Sequence, residues 1–235
     1  MRRKESEFKT IFFSKSGTQK INNDYFGYVQ LDNYAIWVIA DGYDGEEGAN
    51  IASKLSVESV IEYFTAHPRF NKEVIKELFK YTNDTIKQKQ EEMERYSLMH
   101  TSLLIVISNY NKILYGNIGN TRLYHIQGGY IVNQSSDDSV SQLLVQERAL
   151  DIKDIKSHRQ RNDLLQAIGD YSKIKPTISN EIKLLEGDKI CLTTRGAWEN
   201  IDEHEIEVEL SKFPERELWI DSIKRKVLGR IFKKS

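Results

Sequence analysis

The stretch that decides the architecture runs from Tyr34 to Gly48 and reads YAIWVIADGYDGEEG. Its first half is a continuous apolar run, the right length for a strand buried on both faces and far too short to cross a bilayer. Its second half gathers three glycines and two aspartates, so the strand ends in a polar loop. Beyond that loop Ile51, Leu55, Val60 and Tyr63 recur at helical spacing, which predicts a helix leading away from the strand end. Asp41 and Gly42 thus place a carboxylate and a carbonyl at the end of a buried strand. Those are hard oxygen donors of the kind Mg²⁺ and Mn²⁺ accept, although Asp-Gly after a strand is also an ordinary turn.

Working outward, residues 8–40 alternate apolar and polar positions and read as a pair of strands, with a second acidic position, Asp24, in KINNDYF. From Asn71 to about Arg95 the residues Val74, Leu78, Phe79, Thr82 and Ile86 share one helical face. Residues 101–133 change period: TSLLIVIS, KILYGNIG, TRLYHI and YIVNQ are β-prone runs broken by turn signals, which predicts four consecutive antiparallel strands. Residues 137–170 carry no strand pattern and predict a flap of short helices. Strands resume at ISNEIKLL and DKICLTT, followed by a polar turn, TRGAWENID, and a helix from about Glu203 to Leu210. From Pro214 onward Ile220, Ile223, Val227 and Ile231 form one stripe of an amphipathic, basic helix spanning about 214–232. No repeat or Gly/Ser/Pro linker divides the chain, so residues 1–235 read as a single domain.

With 235 residues and 39% apolar content the chain has enough material for a sizeable core, which excludes disorder and fibre. Lys plus Arg number 34 against 35 for Asp plus Glu; a net charge of −1 exerts no global pull on nucleic acid or anionic lipid. The single cysteine, Cys191, and five dispersed histidines offer neither a disulfide nor a zinc spacing. No apolar run approaches the ~20 residues of a membrane helix, and the charged start MRRKESE leads into no signal-peptide apolar region. A cytoplasmic protein that neither binds nucleic acid nor spans a membrane is expected.

The order of segments is more specific than any one of them. GTQKINNDYF, VIADGYDGEEGANIAS, MHTSLL, YGNIGNTRLYHIQGG, the flap, and GDKICLTTRGAWENIDEHEI together resemble the bacterial metal-dependent protein phosphatases of the protein phosphatase 2C-like (PPM) family, over roughly Gly17 to Leu210. The resemblance implies an α+β fold of two packed antiparallel β-sheets flanked by α-helices, and hydrolysis of phosphoserine and phosphothreonine by water held between two divalent cations. Residue by residue, the implied bridging aspartate falls on Asp41, the carbonyl ligand on Gly42 and the supporting aspartate on Asp24. The implied second-metal glutamate falls on Asn23, the phosphate-binding arginine on Gln19 with Lys20 beside it, the aspartate of the GDSR segment on Asn120, and the aspartate of the SDG segment on Arg195. The family's final Asp-Asn pair has no counterpart after Leu210.

A guanidinium where a ligand belongs opposes a divalent ion by about 8 kcal/mol at 4 Å and an effective dielectric near 20. Arg195 is therefore expected to pair with Asp41 or Asp24 as an internal counter-ion, or else to point into solvent from its turn. The pattern implies a pseudophosphatase that serves as a protein-binding or regulatory module for a kinase or phosphoprotein. No cofactor is expected, or at most one weakly held Mg²⁺ or Mn²⁺ at Asp41 and Gly42, which would leave a weakly active phosphatase. Lys20, His158 and Arg161 are candidate contacts to a partner or phosphate; the flap cations are equally readable as a solvated face.

Overall fold

The computed structural model describes residues 7–43 and 45–234; the charged residues 1–6, Asp44 and Ser235 lie outside it. Strands β1 (Asp24–Gln30) and β2 (Ala35–Gly42) pair antiparallel, as the alternation predicts. The upstream part of the alternating tract forms no strand. Phe8 instead packs edge-on against Trp37 at 4.7 Å, and the Phe8 backbone exchanges two hydrogen bonds with the Gln30 side chain. Phe12 likewise lies against Phe26 of β1, whereas Phe13 packs against the cluster that holds Tyr124 and Trp219. Helix α1 (Ala49–Ala66) leaves the polar loop, and α2 (Lys72–Glu92) starts where Asn71 Oδ1 accepts the Val74 N–H at 2.8 Å.

The four runs after residue 100 become β3 (Thr101–Ser108), β4 (Lys112–Ile118), β5 (Arg122–Gln127) and β6 (Tyr130–Gln134). They are not one meander. β3 and β4 join β1 and β2, whereas β5 and β6 belong to a second sheet, so the chain changes sheets at residues 119–121. Gly119 permits that corner: its φ is +90°, and a Cβ there would stand 2.4 Å from the Cβ of Ser102. The flap holds α3 (Val140–Gln146) and a 3₁₀ turn at Ile152–Ser157. After it come the short β7 (Thr177–Ile178) and β8 (Ile182–Lys183), then β9 (Lys189–Thr193). The expected polar turn at TRGAW is a helical turn, α4 (Arg195–Trp198), because Trp198 is drawn into the core with no exposed surface. Helices α5 (Glu203–Lys212), begun by an Asp202/Glu205 capping box, and α6 (Arg216–Lys234) complete the chain.

The first sheet has the order β1-β2-β3-β4-β7, with β8 also on β4; the second has the order β6-β5-β9. Period-two alternation divides their side chains between layers. From β3, Leu103, Ile105 and Ile107 face α1 and α2, while Leu104 and Val106 meet Leu123, Ile190 and Leu192 of the second sheet. The outer face of the second sheet presents Tyr124 and Ile126 to Ile206, Leu210, Trp219, Ile223 and Val227 of α5 and α6. Of the expected stripe on the last helix, Ile223 and Val227 are core and Ile231 packs at its edge, whereas Trp219 rather than Ile220 is the buried residue of the preceding turn. Two antiparallel sheets between helical layers match the α+β expectation.

Candidate functional site

The two acids flagged in the sequence are brought side by side. Asp24 and Asp41 are register partners across β1 and β2, so their side chains project from one face, the face from which Trp37 and Ile39 meet the second sheet. α1 crosses directly behind: a Cβ on Gly42 would lie 2.3 Å from the Ala49 carbonyl oxygen, so only glycine fits between strand end and helix start. The Gly42 N–H donates to the Asn23 carbonyl at 3.0 Å, fixing the two strand ends together.

The second sheet reaches the acids through the end of β9. Thr194 Oγ1 donates to Asp24 Oδ2 at 2.7 Å, and the Arg195 backbone N–H donates to Asp41 Oδ2 at 3.1 Å. Arg195 meets Asp41 here through its main chain, a contact different from the side-chain pairing expected of its guanidinium. Asp41, Gly42, Tyr43, Asn120, Asn162, Leu164 and Arg195 line one cavity of about 200 Å³. The sheet-switching corner delivers Asn120, which is 5% exposed. Its backbone oxygen accepts from Trp198 Nε1 at 2.7 Å. The flap supplies Asn162 and Leu164, and Tyr43 holds it down by donating from its hydroxyl to the Asn162 carbonyl at 2.9 Å. Burial raises the Tyr43 phenol above its ordinary value; Asp163 and Glu46 push the same way and Arg195 opposes them.

The remaining candidates stand elsewhere. Gln19, Lys20 and Asn23 line a separate, larger groove of about 700 Å³ with Glu46, Glu47 and Tyr96. Arg161 pairs with Glu199 at 2.8 Å, and His158 Nδ1 accepts the Gln160 N–H at 3.3 Å, so these two flap residues make contacts within the chain. Tyr43, Asn162, Leu164 and Thr194 were not singled out from the sequence. Thr194 had a signal, as the residue directly before Arg195 in TRGAW. Asn162 had none, because only the fold of the flap brings it here. Among the described residues no group of three or more His, Cys, Asp or Glu side chains is placed to hold a metal ion. No helix among them is long and apolar enough to cross a membrane.

Behind the cavity lies a buried ion pair. Arg122 donates from Nε and Nη2 to the two carboxylate oxygens of Asp137 at 2.8 and 2.6 Å, and its guanidinium carbon stands 3.7 Å from the Trp198 ring centre. Burial works against the Arg122 charge, but the bidentate contact with Asp137 outweighs it and raises the pKa.

Fold and geometry together point to a phosphatase scaffold, and residues 14–215 match the family described as Protein phosphatase 2C. The chain belongs to that family, whose phosphatases are metal-dependent. Protein phosphatase PhpP of Streptococcus pneumoniae is 28% identical over 195 residues, covering 81% of this chain and 79% of PhpP. The solved structure of the serine/threonine phosphatase Stp1 from Staphylococcus aureus superposes with a TM-score of 0.83 at 22% identity, over 97% of this chain and 94% of Stp1. The PstP catalytic domain, solved in complex with two manganese ions, superposes with a TM-score of 0.76 at 19% identity, over 90% of this chain and 87% of that one.

Proposed function

We propose that this chain is a single-domain, non-catalytic member of its family, a pseudophosphatase that acts in the cytoplasm as a protein-binding or regulatory module for a kinase or phosphoprotein. One observation carries the reading: in the cavity where Asp41, Gly42 and Asn120 meet, the charged residue contributed by the second sheet is the cation Arg195. A pair of hard divalent ions needs several anionic oxygens around it together with open positions for water and phosphate. The described residues lining the cavity offer a single carboxylate, Asp41, with neutral carboxamides at 120 and 162. Asn23 faces the neighbouring groove. This donor set does not fit two cations, and no hydrolytic step is derived through them.

The deciding experiment is calorimetric titration with MnCl₂ and MgCl₂ beside hydrolysis of an aryl phosphate and a phosphothreonine peptide. Neither micromolar metal binding nor Mn²⁺-dependent turnover is expected. Turnover that Mn²⁺ stimulates and Asp41→Ala abolishes overturns the reading in favour of a weakly active phosphatase with one metal at Asp41 and Gly42.

A further inference from the structure

Asp24 and Asp41 pose an electrostatic problem that the strand pair cannot solve alone. They face each other directly across an antiparallel ladder, where like charges destabilise the pairing. They also project toward the second sheet, into the layer between the sheets, where water screens them less than at an open surface. Residues 194 and 195 bring a donor to each of them there. β9 ends at Thr193, paired with Arg122, and Thr194 continues extended at φ −82° and ψ 169° before α4 begins. This path aims the Thr194 hydroxyl at Asp24 and the first N–H of α4 at Asp41. The turn cannot drift, because Trp198 is fully buried, bonded through Nε1 to the Asn120 carbonyl and covered by the Arg122 guanidinium.

We propose that Thr194 and Arg195 form a metal-independent clasp, in which one hydroxyl and one main-chain N–H from the chain itself hold the Asp24 and Asp41 carboxyl groups and so join the two sheets at the mouth of the cavity. The clasp deepens the reading above by assigning a structural task to the acids, and its test reads stability rather than turnover. Thr194 is 8% exposed, so Thr194→Val removes the hydroxyl while keeping the shape. Loss of a hydrogen bond to a carboxylate should lower the unfolding midpoint by about 3–10 °C, with Thr194→Ser restoring most of it. Asp24→Ala and Thr194→Val should be non-additive, the double variant losing less than the sum of the singles. The midpoint of the parent protein should be the same in EDTA and in millimolar MnCl₂.

A Thr194→Val midpoint equal to the parent's, additive losses in the cycle, or a rise of several degrees on adding Mn²⁺ overturns the clasp. The two proposals fail separately. Unchanged stability in Thr194→Val without any Mn²⁺-dependent turnover removes the clasp and leaves the non-catalytic reading. Mn²⁺-dependent turnover with the Thr194 effects intact removes only the latter.

Discussion

Arg122 and Asp41 lie on opposite sides of the same corner of the chain and settle their charges in opposite ways. Behind the corner, Arg122 and Asp137 form a bidentate pair of opposite charges with side chains only 5% and 1% exposed, and Arg122 Nη1 also reaches Glu203 at 3.4 Å. In front of it, the carboxyl groups of Asp24 and Asp41 stand side by side, and among the described contacts one hydroxyl and one main-chain N–H reach them from the chain that follows β9. A pair of opposite charges carries its compensation with it wherever the fold places it. An open acid pair depends on what is brought to it from outside, so replacement of a few neighbouring side chains can change what the site does while the scaffold behind it stays intact.

The sharpest way to break the comparison is Arg122→Met. It leaves Asp137 buried without a counter-charge and should cost about 3–5 kcal/mol in urea unfolding, more than any single change in front of the corner. Arg122→Met combined with Asp137→Leu should recover a large part of that loss, since it is the uncompensated ion that is expensive. Equal losses in the single and double variants would show that stacking on Trp198, and not the charge pair, is the main contribution.

A smaller effect is expected at the flap. Lys156 Nζ reaches the Ile201 carbonyl at 2.9 Å, Asp202 at 2.8 Å and Glu203 at 3.3 Å, while Arg161 reaches Glu199. These two cations fasten the flap to the segment that follows Trp198. Lys156→Ala should speed amide hydrogen exchange across residues 152–164 by about fivefold, the equivalent of roughly 1 kcal/mol, and Arg161→Ala by less. Exchange within β3 should not change. Loss of protection in β3 as well would mean that flap and sheet open as one unit.

The smallest effect lies farthest from the acids. Arg230 binds both carboxylate oxygens of Glu205 at 2.6 Å, and this contact, against some opposing burial, holds the Glu205 pKa down to about 2. A carboxyl depressed in the folded state stabilises the fold above its unfolded value, and that contribution is lost as the pH falls through the folded one. The parent protein should therefore lose its advantage over Glu205→Gln between about pH 4.5 and pH 2, as read from urea midpoints along that series. A constant gap between the two proteins across that range would refute the linkage.

Much of the architecture could be read along the chain because neighbouring residues encode it. Leu103 to Ile107 alternate between two cores, and Val74, Leu78, Phe79 and Ile86 keep to one helical face. The errors share one cause. Residues 101–133 look alike run by run, and nothing in their period says that β4 and β5 part company at Gly119; the steric demand that makes glycine necessary comes from Ser102 on another strand. TRGAW is polar enough to read as a turn until Trp198 finds its pocket beneath Arg122. At the site, Asp41, Gly42, Asn120 and Arg195 were legible and do converge, whereas Gln19, Lys20 and Asn23 occupy the neighbouring groove.

By itself, the sequence determined the element types, through their periodicity, and the residue types at positions 19, 23, 120 and 195, since both are local properties; the two-sheet class came from the resemblance to a family, not from any local pattern. Only the tertiary structure decided that Thr194 answers Asp24, that the Arg195 main chain answers Asp41, and that Asn162 closes the cavity. Those contacts span more than a hundred residues of chain, and hydrogen bonding is directional over about 3 Å. No linear pattern records it; the packing of one sheet on the other does.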